Sequence, residues 1–198
     1  MATRLDTSTW LVLRDSYGEA LRLGQLMRYR KRRWDQALEF AAWLSEKDLP
    51  SLSLDQALTL YRASGSNRIA EFETNPIEEV RDSLDFLLYD TIKLEGRFSE
   101  CASDGGAYKL AGAGKQFVSY LMCLRDSTLF AVWNRPAEGA LKLLGMYPAT
   151  LRDGDLGLRY LDLLEVLQRV RRQLGLAQFQ AVDEFCYMVS RRDKPGTR

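Results

Sequence analysis

Apolar residues along this chain recur mostly at intervals of three and four. Leu21, Met27 and Tyr29 lead into Trp34, Leu38, Ala41 and Ala42, a stripe of helical period. Ala, Leu, Glu and Arg, all good helix formers, dominate these stretches. Ser53-Leu54-Asp55-Gln56 reads as a capping box that starts a helix running to about Ala63, with Gly65 as its stop. Asn75-Pro76-Ile77-Glu78 predicts another start. Asn75 is the expected N-cap, Pro76 sits in the first turn, and Glu78 and Glu79 lie on the positive helix end. Leu84, Leu87 and Leu88 share one face of that helix, and a short helix holding Ile92, Leu94 and Phe98 follows. Asp104-Gly105-Gly106 reads as a loop.

The second half repeats the pattern. An apolar helix is expected from Phe117 to Leu124, then a polar break at Arg125-Asp126-Ser127-Thr128. The apolar segment Leu129 to Asn134 comes next, then an amphipathic run from Ala137 to Leu144 closed by Gly145. Beyond Pro148 a polar turn (Arg152-Asp153-Gly154-Asp155) leads to a long helix over Leu158 to Leu174, ended by Gly175. A last helix spans about Ala177 to Ser190. No β-alternation of useful length occurs. The expectation is an all-α, multi-helix bundle of roughly eight to ten helices. Its expected parts are an N-terminal helical portion over 1–75, a helical core over 76–190, and a flexible basic tail over 191–198.

Composition narrows the chemistry. The chain contains no histidine, which removes His-dependent triads, His general bases and the common catalytic zinc sites. Cys101, Cys123 and Cys186 are odd in number and far apart, as in a reduced cytoplasmic protein with buried thiols. No secretory pattern is read at the start, where Arg4 and Asp6 precede only a short apolar patch from Trp10 to Leu13. No run of about 18 apolar residues suggests a membrane span. The net charge of +1 conceals an asymmetry: residues 1–33 carry eight basic and three acidic side chains, and residues 71–100 carry nine acidic and three basic ones. Such polarity argues for a directed surface.

The stretch Leu110-Ala111-Gly112-Ala113-Gly114-Lys115-Gln116 carries the sharpest chemical signal. Two glycines spaced G-x-G let a backbone turn tightly and bring its N–H groups near another molecule. The helix that follows adds unsatisfied N–H groups and a partial positive charge, which suit a phosphate oxygen. A plain helix-capping turn is the competing reading. It is no Walker loop, because Lys109 stands five before Gly114 and Gln116 replaces the Ser or Thr that would bind magnesium. Nor is it a dinucleotide fingerprint, since no strand precedes it and no third glycine follows.

The order of this glycine turn, an apolar helix, Phe130-Ala131-Val132-Trp133-Asn134, a second helix and Leu144-Gly145 resembles the core of the helix-hairpin-helix DNA glycosylases. It is closer still to the related helical modules of McrB-type restriction and defence proteins. The resemblance covers about residues 76–190. It implies a hairpin that grips a DNA backbone. It also implies where catalysis would sit, and there the chain departs from the pattern. The place of the catalytic Asp holds Asn134, which cannot ionise, and the place of the Schiff-base Lys holds Gln116. The scaffold without the chemistry is the expectation, with no catalytic residue, cofactor or metal. Asn134 is expected to cap the helix that follows.

Arg28, Arg30, Lys31, Arg32 and Arg33 form the densest basic cluster, with Tyr29 and Trp34 between and beside them. It reads either as a phosphate-tracking face or as a solvated helix with core aromatics. Trp133, Asn134 and Arg135 are candidates to line a base-reading pocket, although aromatics at such spacing more often belong to the core. Arg169, Arg171 and Arg172 suit a helix C-terminus. Asp82, Asp85 and Asp90 do not share one helix face and read as solvated acids. The expected function is a non-catalytic DNA-binding module of a restriction or anti-phage defence system. It would contact duplex DNA, plain or base-modified, through Gly112, Gly114, Lys115, Gln116 and the 28–33 cluster, with an effector domain or subunit elsewhere. An α-helical protein-interaction module is the alternative, and a glycosylase with an atypical acid the third reading.

Overall fold

The computed structural model describes residues 6–152 and 154–191, with the Arg152 side chain left aside. The expected tail from 192 onward and Asp153 of the expected polar turn lie outside these residues. Among the described residues the chain is all-helical: eleven α-helices, two 3-10 turns and no strand. The helices are α1 (Thr7–Arg22), α2 (Met27–Arg33), α3 (Ala37–Trp43), α4 (Leu54–Ala63), α5 (Ile69–Phe72) and α6 (Ile77–Tyr89). They continue with α7 (Leu94–Ala102), α8 (Lys115–Arg125), α9 (Arg135–Leu143), α10 (Leu156–Leu174) and α11 (Phe179–Arg191). The extra helices over the pattern count are short pieces such as α2, α3 and α5, whose few turns leave too little periodicity to separate them.

Helix α8 is the centre of the molecule. Every residue from Phe117 to Leu124 is buried, on all faces of the helix. A helix apolar all round has to sit inside a protein. Here α3, α6 and α7 pack around it, while α9 lies along α11 and α10 along α7. One continuous core joins these layers and reaches α1 through Trp10, Tyr17 and Ala20. Gly157, in the first turn of α10, permits its approach to α7: a Cβ there would meet the Glu95 carbonyl oxygen at 1.8 Å.

Two local expectations meet different ends. The Ser53 box forms as read, with Ser53 Oγ accepting from Gln56 N at 3.2 Å and Gln56 Oε1 accepting from Ser53 N at 2.8 Å. Asn75 does not cap α6, where Pro76 stands at the N-cap position. Its side chain turns instead to the distant glycine turn. Asn75 Nδ2 donates to the Phe72 carbonyl at 2.6 Å and the Ala111 carbonyl at 3.1 Å, and Asn75 Oδ1 accepts from Ala111 N at 2.9 Å. Ala111 lies 36 residues along the chain, so local spacing could not announce that partner.

Candidate functional site

The glycine turn between α7 and α8 is held from both sides. Gly112 has φ +72°, a left-handed conformation that side chains resist. A Cβ there would also sit 2.6 Å from the Arg68 carbonyl oxygen and 2.7 Å from Phe72 N. The first glycine is therefore needed for close approach to α5. Tyr61 Oη donates to the Gly112 carbonyl at 2.7 Å and accepts from Arg68 N at 3.2 Å, tying α4, α5 and the turn together. Gly114 differs. Its backbone is extended, and an added Cβ would meet nothing within 4 Å. It is the N-cap of α8 and offers no side-chain acceptor to the first helical N–H groups. These groups leave a partial positive charge at the helix start.

That start opens onto a cleft of about 570 Å³. Cations reach its lining from four separated parts of the chain: Arg32 and Arg33, Arg68, Lys109 and Lys115, and Arg135. Asp104 is the one carboxylate among the described lining residues. Several of the cations are already engaged. Lys115 Nζ is 2.5 Å from Glu138 Oε1 and 4.4 Å from the centre of the Trp133 ring. Lys109 Nζ donates to the Ala102 carbonyl at 3.0 Å and to that of Ala113, and lies 3.6 Å from the fully exposed Asp104. Arg68 pairs with Glu71. Arg135 is exposed, with no ion pair among the described residues.

Arg33 stands apart because it is buried, at 2% exposure. Burying a guanidinium is costly unless it is paired and hydrogen-bonded. Asp183 of α11 supplies the counter-charge, with Oδ2 accepting from Arg33 Nε at 3.1 Å. The same oxygen accepts from Tyr29 Oη at 2.8 Å and Trp34 Nε1 at 3.2 Å, and Asp183 Oδ1 accepts from Asn134 Nδ2 at 2.6 Å. Burial, and next the Asp183 charge, push the Tyr29 hydroxyl well above its ordinary range. Arg33 Nη1 and Gln116 Nε2 both donate to the Ser64 carbonyl, the latter at 2.8 Å. Among the described residues Arg33 Nη2 has no hydrogen-bond partner, although it is fully buried.

The residues singled out in the sequence divide on this geometry. Gly112, Gly114, Lys115, Gln116, Arg32, Arg33, Asn134 and Arg135 line one cleft. Arg28, Arg30 and Lys31 do not: they project from other faces of α2, and Arg30 pairs with Glu184 at 2.9 Å. Trp133 is fully buried and belongs to the core. Its ring stacks in a layer with Phe98 and Tyr160, and its Nε1 donates to Glu138 Oε1 at 2.7 Å. Asn134 caps α9 as expected, its Oδ1 accepting from Ala137 N at 2.9 Å. Burial raises the Glu138 carboxyl pKa, but the Lys115 contacts and the Trp133 hydrogen bond outweigh it and leave it below the usual range.

Sequence reasoning missed Arg68, Tyr187 and Asp183. Tyr187 lines the cleft from α11 and stacks on Tyr29 with ring centres 3.9 Å apart. It lies within the last helical run, where no motif marks it. The three cysteines are buried, and burial pushes the Cys101 thiol up to about 12. No protein-family model, curated protein or solved structure matches this chain.

Proposed function

We propose that this chain is a DNA-binding module that grips backbone phosphate at the 110–116 turn and performs no chemistry on the DNA itself. One observation carries the reading: the uncapped start of α8 and cations from four separated segments surround a single cleft. Phosphate oxygens suit both parts, because helix N–H groups and guanidinium forks bind them directionally. The two positions where the glycosylase pattern places its acid and its amine hold Asn134 and Gln116, each engaged in hydrogen bonds to neighbouring segments. A role in restriction or anti-phage defence follows from the likeness to McrB-type modules and rests on that likeness alone.

Binding of a fluorescent oligonucleotide, followed across salt concentrations, tests this reading. Affinity should fall with a log–log slope near −0.9 for each phosphate neutralised on a duplex, and about −0.7 on a single strand. Arg135→Glu should weaken binding about tenfold or more, at the level of one charge-assisted contact. A chain that binds no DNA of either strand state at low salt is not a DNA-binding module.

A further inference from the structure

The cleft does not end at Arg135. Arg135, Pro136 and Tyr187 also line an adjoining groove of about 300 Å³ that runs to Ser190 and Arg191. Tyr187 and Arg191 in turn line a third hollow of about 340 Å³, which reaches Ala20 of α1 and Leu26. The three depressions thus share lining residues from one to the next and adjoin as a trough beside α11, with the Tyr187–Arg191 pair between the last two. Among the described residues, neither of the two further hollows has a carboxylate in its lining. The trough carries cations at its start, middle and far end: Arg33, Arg135 and Arg191.

Tyr187 is the residue common to all three hollows. It is half-buried, and its ring is fixed by the stack on buried Tyr29. Arg191 Nη1 donates to its hydroxyl at 2.6 Å, and the guanidinium lies 5.4 Å from the ring centre. The unpartnered Arg33 Nη2 belongs to the same cluster, for the Arg33 guanidinium lies 5.4 Å from the Tyr29 ring. Buried Arg33, the fixed Tyr187 ring and the exposed cations Arg135 and Arg191 therefore lie in adjoining hollows. A hollow of about 570 Å³ has the size that encloses a small molecule, not the girth of a duplex.

We infer that the trough is the path of a single-stranded nucleic acid. One backbone phosphate sits against Arg33 and the start of α8, a base rests at Tyr187, and the strand leaves past Arg191. Alternation of cations with an aromatic platform is how proteins hold a single strand without reading its sequence. The inference rests on the DNA-binding reading and adds the strand state to it.

The test compares a fluorescent single-stranded oligonucleotide of about twelve nucleotides with the blunt duplex of the same sequence, using the full chain at one low salt concentration. The single strand should bind at least about tenfold more tightly. Tyr187→Ala should weaken single-strand binding about tenfold or more, and Tyr187→Phe should retain it. Arg191→Glu, a change at an exposed side chain beside Tyr187, should weaken single-strand binding about tenfold or more. Duplex binding equal to or tighter than the single strand overturns the inference and leaves the DNA-binding reading standing. So does an Arg191→Glu variant that binds the single strand as the parent does. Absence of binding to either form overturns both.

Discussion

Asn134 donates its Nδ2 to Asp183 Oδ1 at 2.6 Å while its own Oδ1 caps α9 at Ala137 N, 2.9 Å away. One amide thus joins the start of α9 to the buried carboxylate of α11. Both roles need an amide: the donor satisfies Asp183, and the acceptor satisfies a helix N–H group. A carboxylate could cap the helix but could not donate.

Asn134→Asp is therefore expected to destabilise the fold, not to create a glycosylase. It would set two carboxylates at hydrogen-bonding distance in the core. The loss at neutral pH should be about 2–4 kcal/mol. The repulsion raises one carboxyl's folded pKa above its unfolded value, so the penalty is absent below the unfolded pKa and grows as pH rises through the folded one. Urea melts near pH 7 and pH 5 check this, with part of the loss recovered at the lower pH.

Asp183→Asn should cost about 3–5 kcal/mol, because it strands the Arg33 guanidinium without a charge partner. The same melts compare it with Arg33→Lys. A lysine keeps the charge but cannot reproduce the planar fork that reaches both Asp183 and the Ser64 carbonyl, and it too should be clearly less stable than the parent.

The two glycines of the turn should behave differently. Gly112→Ala forces a side chain into a left-handed backbone and against α5, and should lower stability by more than about 1 kcal/mol. Gly114→Ala meets no atom within 4 Å and no left-handed strain, so its loss should be confined to the weaker N-cap, below about 1 kcal/mol. Any loss of DNA affinity in Gly114→Ala then reports on the mouth of the cleft alone.

Glu138→Gln should tighten anion binding several-fold, since it releases Lys115 from its ion pair beside the cleft. Its folded pKa is lowered, so the stability it contributes is present above the unfolded value and is lost as pH falls through the folded one. The parent should lose more stability than the variant on acidification through that window. Titration of binding and urea melts, run on both proteins, separate the two effects.

Glu184 gives the opposite sign. Burial raises its folded pKa, outweighing the Tyr17 hydrogen bond at 2.8 Å and the Arg30 pair. Its contribution is full below the unfolded value and is lost as pH rises through the folded one. The stability of Glu184→Gln relative to the parent should therefore improve with rising pH over that interval.

Start signals placed α4 and α6, and apolar runs placed α8, α9, α10 and α11, because such signals lie within a few residues of one another. The Ser53 box, the Asn134 cap and the Gly175 stop were legible for the same reason: a cap is a contact between residues three or four apart. The glycine turn was legible as a turn, since Gly112 needs its conformation whatever lies around it. Tertiary structure decided the rest. Asn75 looked like a local cap and became a clamp on Ala111. Five neighbouring cations could be a phosphate-tracking face or a solvated helix surface. Their angular spread on α2 buries Arg33, turns Arg32 to the cleft and sends Arg28, Arg30 and Lys31 elsewhere. The trough could not be read from the chain at all. Arg33, Asn134, Asp183 and Tyr187 converge only when α2, α9 and α11 pack together, and contacts over 150 residues leave no local period to find.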